Sequence, residues 1–347
     1  MKHKQAGMIG VALTLALTGL ACSQVVGSSD RHKSELSPRV KQSGESPSSG
    51  PQLNEPQPSN LPPNDPQADQ TPAVSTDASL SFKIETYDSR IMGKNRTYGV
   101  VLPPDYEFSP TQRYPVVFLL HGGHGNPKDW FEKEKGGALA TLQQLYASGK
   151  FPPSIIITPD GNDKRGSSAY WDPQYIDGPN GKVSTAVGDE LVKVVQSRYR
   201  TLATPDFWAM GGLSSGAWGA LNVGLHHRNH FSILFSHSGY FRDKSGPQNS
   251  PINLVRTLNL ADRQRLRIYL DTGKEDSSSL SQTRQFQQVL NQLKIKNVLH
   301  EFSGEHSWRY WREHLADSLT FVGEQFQLAQ EKQSSPTQDS DNAKPPQ

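Results

Sequence analysis

Gly212-Leu213-Ser214-Ser215-Gly216 sets a serine between two glycines, with the apolar run Phe207-Trp208-Ala209-Met210 before it and a helix-forming stretch, Ala220 to Leu225, behind it. A turn that sharp between a strand and a helix brings neighbouring backbones into contact. Glycines at both flanks remove the side chains that would collide, and the serine is pushed into a strained, exposed position. The helix starting beneath it favours negative charge developing nearby. These residue types therefore point to nucleophilic acyl transfer by Ser214. The pentapeptide alone describes many ordinary turns; its place between strand and helix gives it weight. Ser215 fills a free position of the pattern, so its side chain has no special role, and its backbone N–H is the expected first oxyanion donor.

A serine nucleophile needs a base and an acid, here expected in the order serine, acid, histidine. Arg267-Ile268-Tyr269-Leu270 reads as a strand, followed by Asp271-Thr272-Gly273-Lys274-Glu275-Asp276 as its loop. A carboxylate there can orient the histidine and stabilise its imidazolium. Asp276 is the first choice, with Glu275 and Asp271 open. Strand-like Val298-Leu299-His300-Glu301-Phe302 leads to His306, in a loop before the helix of Trp311, Leu315 and Leu319. His306 is the expected general base. The second oxyanion donor is expected from Leu120-His121-Gly122-Gly123-His124-Gly125, at the N–H of Gly123, with His124 as the alternative. His121 and His124 show no zinc spacing such as H-E-x-x-H and read as structural loop residues with no metal. His226, His227 and His230 read as the polar end of the helix behind the serine. No cofactor is expected.

The elements that must hold these groups alternate. Arg96 to Leu102 alternates polar and apolar, and Pro115 to Leu120, Ser154 to Thr158 and Phe207 to Met210 are short apolar runs. Such runs suit central parallel strands covered on both faces. Leu191, Val194, Val195, Arg198 and Tyr199 follow a helical period, as do Phe286, Val289, Leu290 and Leu293. The pattern predicts a doubly wound α/β sandwich: a mostly parallel central sheet with helices on both faces.

The chain has 347 residues, a net charge of +2, 34% hydrophobic residues and a single cysteine. Near-neutral charge without a long basic run gives no electrostatic case for nucleic acid. Met1-Lys2-His3-Lys4 and the apolar Met8 to Leu20 read as an export signal, too short for a spanning helix. Cys22 follows in Thr18-Gly19-Leu20-Ala21-Cys22, which resembles a bacterial lipobox, although Gly19 stands where Leu, Val or Ile is preferred. The expected organisation is a lipoprotein-type signal at 1–21 with lipidation at Cys22, a Pro/Ser/Gln-rich disordered tether at 22–80, a catalytic domain at 81–330 and a disordered tail at 331–347. A lipid-anchored protein facing the periplasm or the outside is expected, with secretion in soluble form as the alternative.

Leu119-Leu120-His121-Gly122, Gly212 to Leu221 and Gly304-Glu305-His306-Ser307-Trp308, with the stretch Asp189 to Arg200, resemble the esterase D superfamily. That likeness spans about Phe82 to Phe326. It implies the α/β-hydrolase fold and a serine esterase, in a group that includes feruloyl and acetyl-xylan esterases, enterobactin esterases, S-formylglutathione hydrolases and mycolyltransferases. Ala217 departs from it, since many members carry a glycine there. Export would suit extracellular esters such as feruloyl, acetyl-polysaccharide or siderophore esters. An acyltransferase of the mycolyltransferase type and a non-catalytic binding protein are the competing readings. Tyr170-Trp171, Trp130, Trp308 and Tyr240-Phe241 are candidates to line an aromatic or sugar-binding cleft, or else to fill space.

Overall fold

The computed structural model describes residues 80–168, 170–172 and 174–334. The expected signal peptide, Cys22, the tether up to residue 79 and the tail from 335 lie outside the described residues. Among the described residues no helix is long and apolar enough to cross a membrane.

Eight strands form one sheet: β1 (Phe82–Ser89), β2 (Lys94–Val101), β3 (Val116–Leu120), β4 (Ile155–Pro159), β5 (Trp208–Leu213), β6 (Ile233–His237), β7 (Arg267–Gly273) and β8 (Lys296–Phe302). Their order is β1-β2-β4-β3-β5-β6-β7-β8. β1 pairs antiparallel with β2 and β2 with β4; every other pairing is parallel. Every residue of β3, β4, β5 and β6 is buried, as strands covered on both faces require. Around the sheet stand α1 (Ala138–Ala147), α2 (Leu191–Arg198), α3 (Ser215–His226), α4 (Pro251–Thr257), α5 (Leu260–Arg265), α6 (Ser277–Gln292) and α7 (Trp308–Ser334). α3 packs on β5 and β6, α6 on β7 and β8, and α7 on β6, β7 and α1. This is the α/β-hydrolase architecture expected above.

Register decides where the chemistry can sit. Leu120 stands opposite Gly212, Leu213 opposite His237, His237 opposite Asp271 and Gly273 opposite Phe302. The parallel strands therefore end level, and the loops after β3, β5, β7 and β8 open at one carboxyl edge, where ligands bind in such sheets. Two boundaries differ from expectation. β7 runs three residues past Leu270, which puts Asp271 inside the strand rather than in the loop. α7 continues to Ser334, beyond the boundary expected at 330.

Candidate active site

Ser214 leaves β5 with φ 53° and ψ −122°, a left-handed conformation that only the surrounding turn sustains. The glycines are sterically required. A Cβ on Gly212 would stand 2.6 Å from the carbonyl oxygens of Gly216 and Leu120, and one on Gly216 would stand 2.4 Å from those of His121 and Leu120. Ser214 N–H donates to His237 O at 3.0 Å, and its own carbonyl accepts from Ala217 and Trp218 in the first turn of α3. Ala217 is fully buried, and a Cβ built on Gly239 would lie 3.1 Å from its own.

His306 Nε2 lies 2.9 Å from Ser214 Oγ, and His306 Nδ1 lies 2.6 Å from Asp276 Oδ2. An ionised carboxylate only accepts, so Nδ1 carries the proton and Nε2 is free to accept from the serine hydroxyl. Asp276 is buried and also serves as the N-cap of α6, its Oδ1 accepting from Ser279 N–H and from the Ser278 hydroxyl. Burial pushes its carboxyl up, but the hydrogen bond and charge of His306 outweigh that, and the net shift is below the ordinary carboxylate value. The His306 ring meets Trp311 edge-on at 4.9 Å and keeps 41% of its side chain exposed, so a substrate can reach it.

The other two candidate acids have different duties. Glu275 Oε2 accepts from Gly304 N–H while Glu275 N–H donates to Gly304 O at 3.2 Å, and Lys274 N–H donates to Phe302 O at 2.8 Å. The acid loop and the histidine loop are thus zipped together, and Gly273 must be glycine because a Cβ would fall 1.9 Å from Gly304 O. Asp271 is held inside β7 beside His237, with Nδ1 at 2.7 Å. Neither carboxylate meets His306.

After β3, Gly122 lies against the elbow: a Cβ there would fall 3.4 Å from Ser214 Cβ. Among the described residues, neither the Gly123 nor the Ser215 N–H donates to a backbone carbonyl. His121 is buried and props this loop. Its Nδ1–H donates to Gly122 O at 3.0 Å, its Nε2 accepts from Gly161 N–H at 3.0 Å, and its carbonyl accepts from the Tyr175 hydroxyl at 2.8 Å. Burial pushes the His121 imidazole well toward its neutral form. His124 stands at φ 59°, with its Nε2 3.9 Å from Asp172 Oδ1. Among the helix histidines, His226 meets Asn222 O, His230 meets Asp189, and burial lowers the pKa of His227.

The aromatic group divides. Trp130 and Phe241 are buried in the core, the former donating through Nε1 to Leu120 O, so they line no cleft. Tyr170 is 90% exposed, and Trp171 lies beneath the Arg165 guanidinium at 5.0 Å. Trp308 meets Trp130 edge-on, and Tyr240 stacks on Trp218 at 5.4 Å. Burial pushes the Tyr240 phenol up and keeps it protonated. A cavity of about 840 Å³ lies at the opposite end of the strands, lined by Ile233, Arg267 and Lys296, and takes no part in this constellation.

Residues 89–322 match the family model described as "Putative esterase". The chain is 26% identical over 269 residues to an acetyl esterase of Caldicellulosiruptor saccharolyticus, covering 67% of this chain and 95% of that one. It is 24% identical over 241 residues to an uncharacterized protein of Corynebacterium glutamicum, covering 64% of this chain and spanning 55% of that relative's length. A solved ferulic acid esterase superposes with a TM-score of 0.65 at 26% identity, over 72% of this chain and 99% of the other. With the family match extending from the end of β1 into α7, the chain belongs to this esterase family, among the carboxylic ester hydrolases of the α/β-hydrolase fold.

Proposed function

We propose that the chain hydrolyses carboxylic esters through an acyl-enzyme on Ser214, with His306 as general base and Asp276 as its orienting acid. The observation that carries this reading is the single imidazole that reaches Ser214 Oγ at 2.9 Å with one nitrogen and Asp276 Oδ2 at 2.6 Å with the other. As Oγ bonds to the ester carbon, its proton passes to Nε2, and the carbonyl oxygen becomes an oxyanion facing the N–H groups of Gly123 and Ser215. Collapse breaks the bond to the alcohol, which leaves with the proton from Nε2. Water then repeats the sequence and releases the acid.

The acetyl esterase and ferulic acid esterase relatives support esters of acetyl or hydroxycinnamoyl groups as substrates. The amino-terminal sequence supports export and lipidation at Cys22, which would set the enzyme on extracellular or periplasmic esters. Hydrolysis of p-nitrophenyl acetate and butyrate by the wild type and Ser214→Ala tests the core of this reading. Turnover that disappears with the serine upholds it. Turnover that survives Ser214→Ala, or a wild type that is inert to both esters and to fluorophosphonate labelling, overturns it. Acetylated glycerol formed when glycerol is added would instead mark a transferase.

A further inference from the structure

Asp172 holds its carboxylate against the loop that faces the oxyanion. A Cβ on Gly123 would meet Asp172 Oδ1 at 2.3 Å and Cγ at 3.3 Å, so this carboxylate lies directly over the Gly123 backbone. The neighbouring Gly122 touches the elbow, its Cβ position falling 3.4 Å from Ser214 Cβ. With consecutive Cα atoms about 3.8 Å apart, the Asp172 charge stands within about 14 Å of the serine oxygen, and nearer to the Gly123 N–H that faces the oxyanion. That charge also contributes to raising the Tyr240 phenol. No lysine or arginine pairs with Asp172 among the described residues. The nearest cation-capable group is His124, 3.9 Å away, and both side chains are about half exposed, at 54% and 49%.

A fixed negative charge beside an oxyanion loop opposes the oxyanion itself, so its place there calls for another use. We propose that Asp172 is a specificity-determining charge filter. It admits neutral esters, accepts hydrogen bonds from hydroxyl-bearing ones, and rejects esters that carry a carboxylate or phosphate near the scissile carbonyl. The same charge acts on the product. An ester enters neutral, and hydrolysis leaves an anionic carboxylate on the same carbon, beside Asp172, which drives it out. At an effective dielectric of about 20–40, a unit charge about 8 Å away changes an equilibrium constant by roughly tenfold.

This inference rests on the assignment of Ser214 as nucleophile, and its test separates the two. Ethyl pentanoate and ethyl hydrogen glutarate, neutral and anionic probes of similar length, are compared by kcat/KM in the wild type, Asp172→Asn and Asp172→Glu. The neutral-to-anionic ratio is expected to fall about tenfold in Asp172→Asn and to be retained in Asp172→Glu. Turnover of the neutral ester rises with Asp172→Asn as well, since the oxyanion loses a repulsion, so the ratio carries the result. Butyrate binding, followed by ligand-observed NMR on Ser214→Ala and Ser214→Ala/Asp172→Asn, needs no turnover and is expected to tighten several-fold in the double variant. An unchanged ratio, or unchanged butyrate affinity, overturns the filter even where Ser214 is confirmed; tighter butyrate binding upholds it even where Ser214 is not.

Discussion

His237 and Asp271 face each other across the β6–β7 pairing, with Nδ1 2.7 Å from Oδ2 and both side chains fully buried. His237 Nε2 reaches Ser318 Oγ at 3.0 Å, and the Ser318 hydroxyl donates to Leu315 O, so the imidazole is the donor in that contact. The Tyr310 hydroxyl donates to Asp271 Oδ1 at 3.1 Å. Serine, histidine and aspartate thus meet a second time in this chain, in the core, where no substrate reaches. The network ties α7 to the strands whose ends carry the site. Removing Asp271 leaves the buried Tyr310 hydroxyl without its acceptor, so Asp271→Ala is expected to cost about 1–3 kcal/mol. Urea unfolding of this variant checks it; a loss under about 1 kcal/mol would show that the pair is not structural.

Asp276→Asn should separate catalysis from folding at one position. Asparagine caps helices as well as aspartate does, so α6 keeps its Ser279 N–H partner. The amide, unlike the carboxylate, does not enforce the Nδ1–H tautomer on His306. By analogy with the serine-protease triad, kcat should fall about 10⁴-fold. Steady-state rates beside a urea midpoint close to wild type would bear this out, and near-full activity would remove Asp276 from the acid role.

Glu275 is expected to act on the proposed reaction through Gly304. Its carboxylate takes the Gly304 N–H and its own N–H returns to the Gly304 carbonyl, two residues before His306. Glu275→Ala frees one side of that clasp and lets the imidazole wander from Ser214. Displacements of that kind cost up to about 10²-fold in rate, and a fall in kcat of ten- to a hundredfold is expected with KM nearly unchanged. Slower fluorophosphonate labelling of Ser214 should accompany it; a labelling rate equal to wild type would contradict the clasp.

Much of this was legible in the sequence, for identifiable reasons. The glycines at 212 and 216 are dictated by backbone contact, and such constraints show in residue type. The runs at Val116 and Ile155 are apolar throughout because both faces of those strands are covered. β1 escaped notice because it is an edge strand, carrying Lys83, Glu85 and Asp88 among its apolar positions. β6 is not evident in the sequence because only Ile233-Leu234-Phe235 reads as apolar before Ser236 and His237, which are polar yet buried. Asp271 passed for a loop carboxylate because nothing local marks the end of β7; its partner His237 lies 34 residues upstream and meets it only through register. Asp172 gave no signal, since its importance lies in what Gly123 brings to it.

The acid side of the stability curve should show two separable arms. Burial holds His121 below its ordinary value, so in the fold it resists a proton that the unfolded chain accepts below about pH 6.5. Half-buried His227 adds in the same direction. Both make stability fall as the pH drops from about 6.5 toward their lowered folded values. Asp276 has the opposite charge and a depressed pKa, its burial outweighed by His306. Its contribution is complete above the unfolded carboxyl value of about 3.9 and is lost as the pH falls through the lower folded one. Urea midpoints at pH 7, 5.5, 4 and 3 in the wild type and Asp276→Asn resolve the arms. The share of the decline from pH 7 to 5.5 that His121 and His227 contribute should appear in both proteins, because neither of these two histidines touches Asp276. Below pH 4 the wild type should lose the additional increment and the variant should not. Parallel curves down to pH 3 would mean that the His306 contact does not hold Asp276 ionised in the fold.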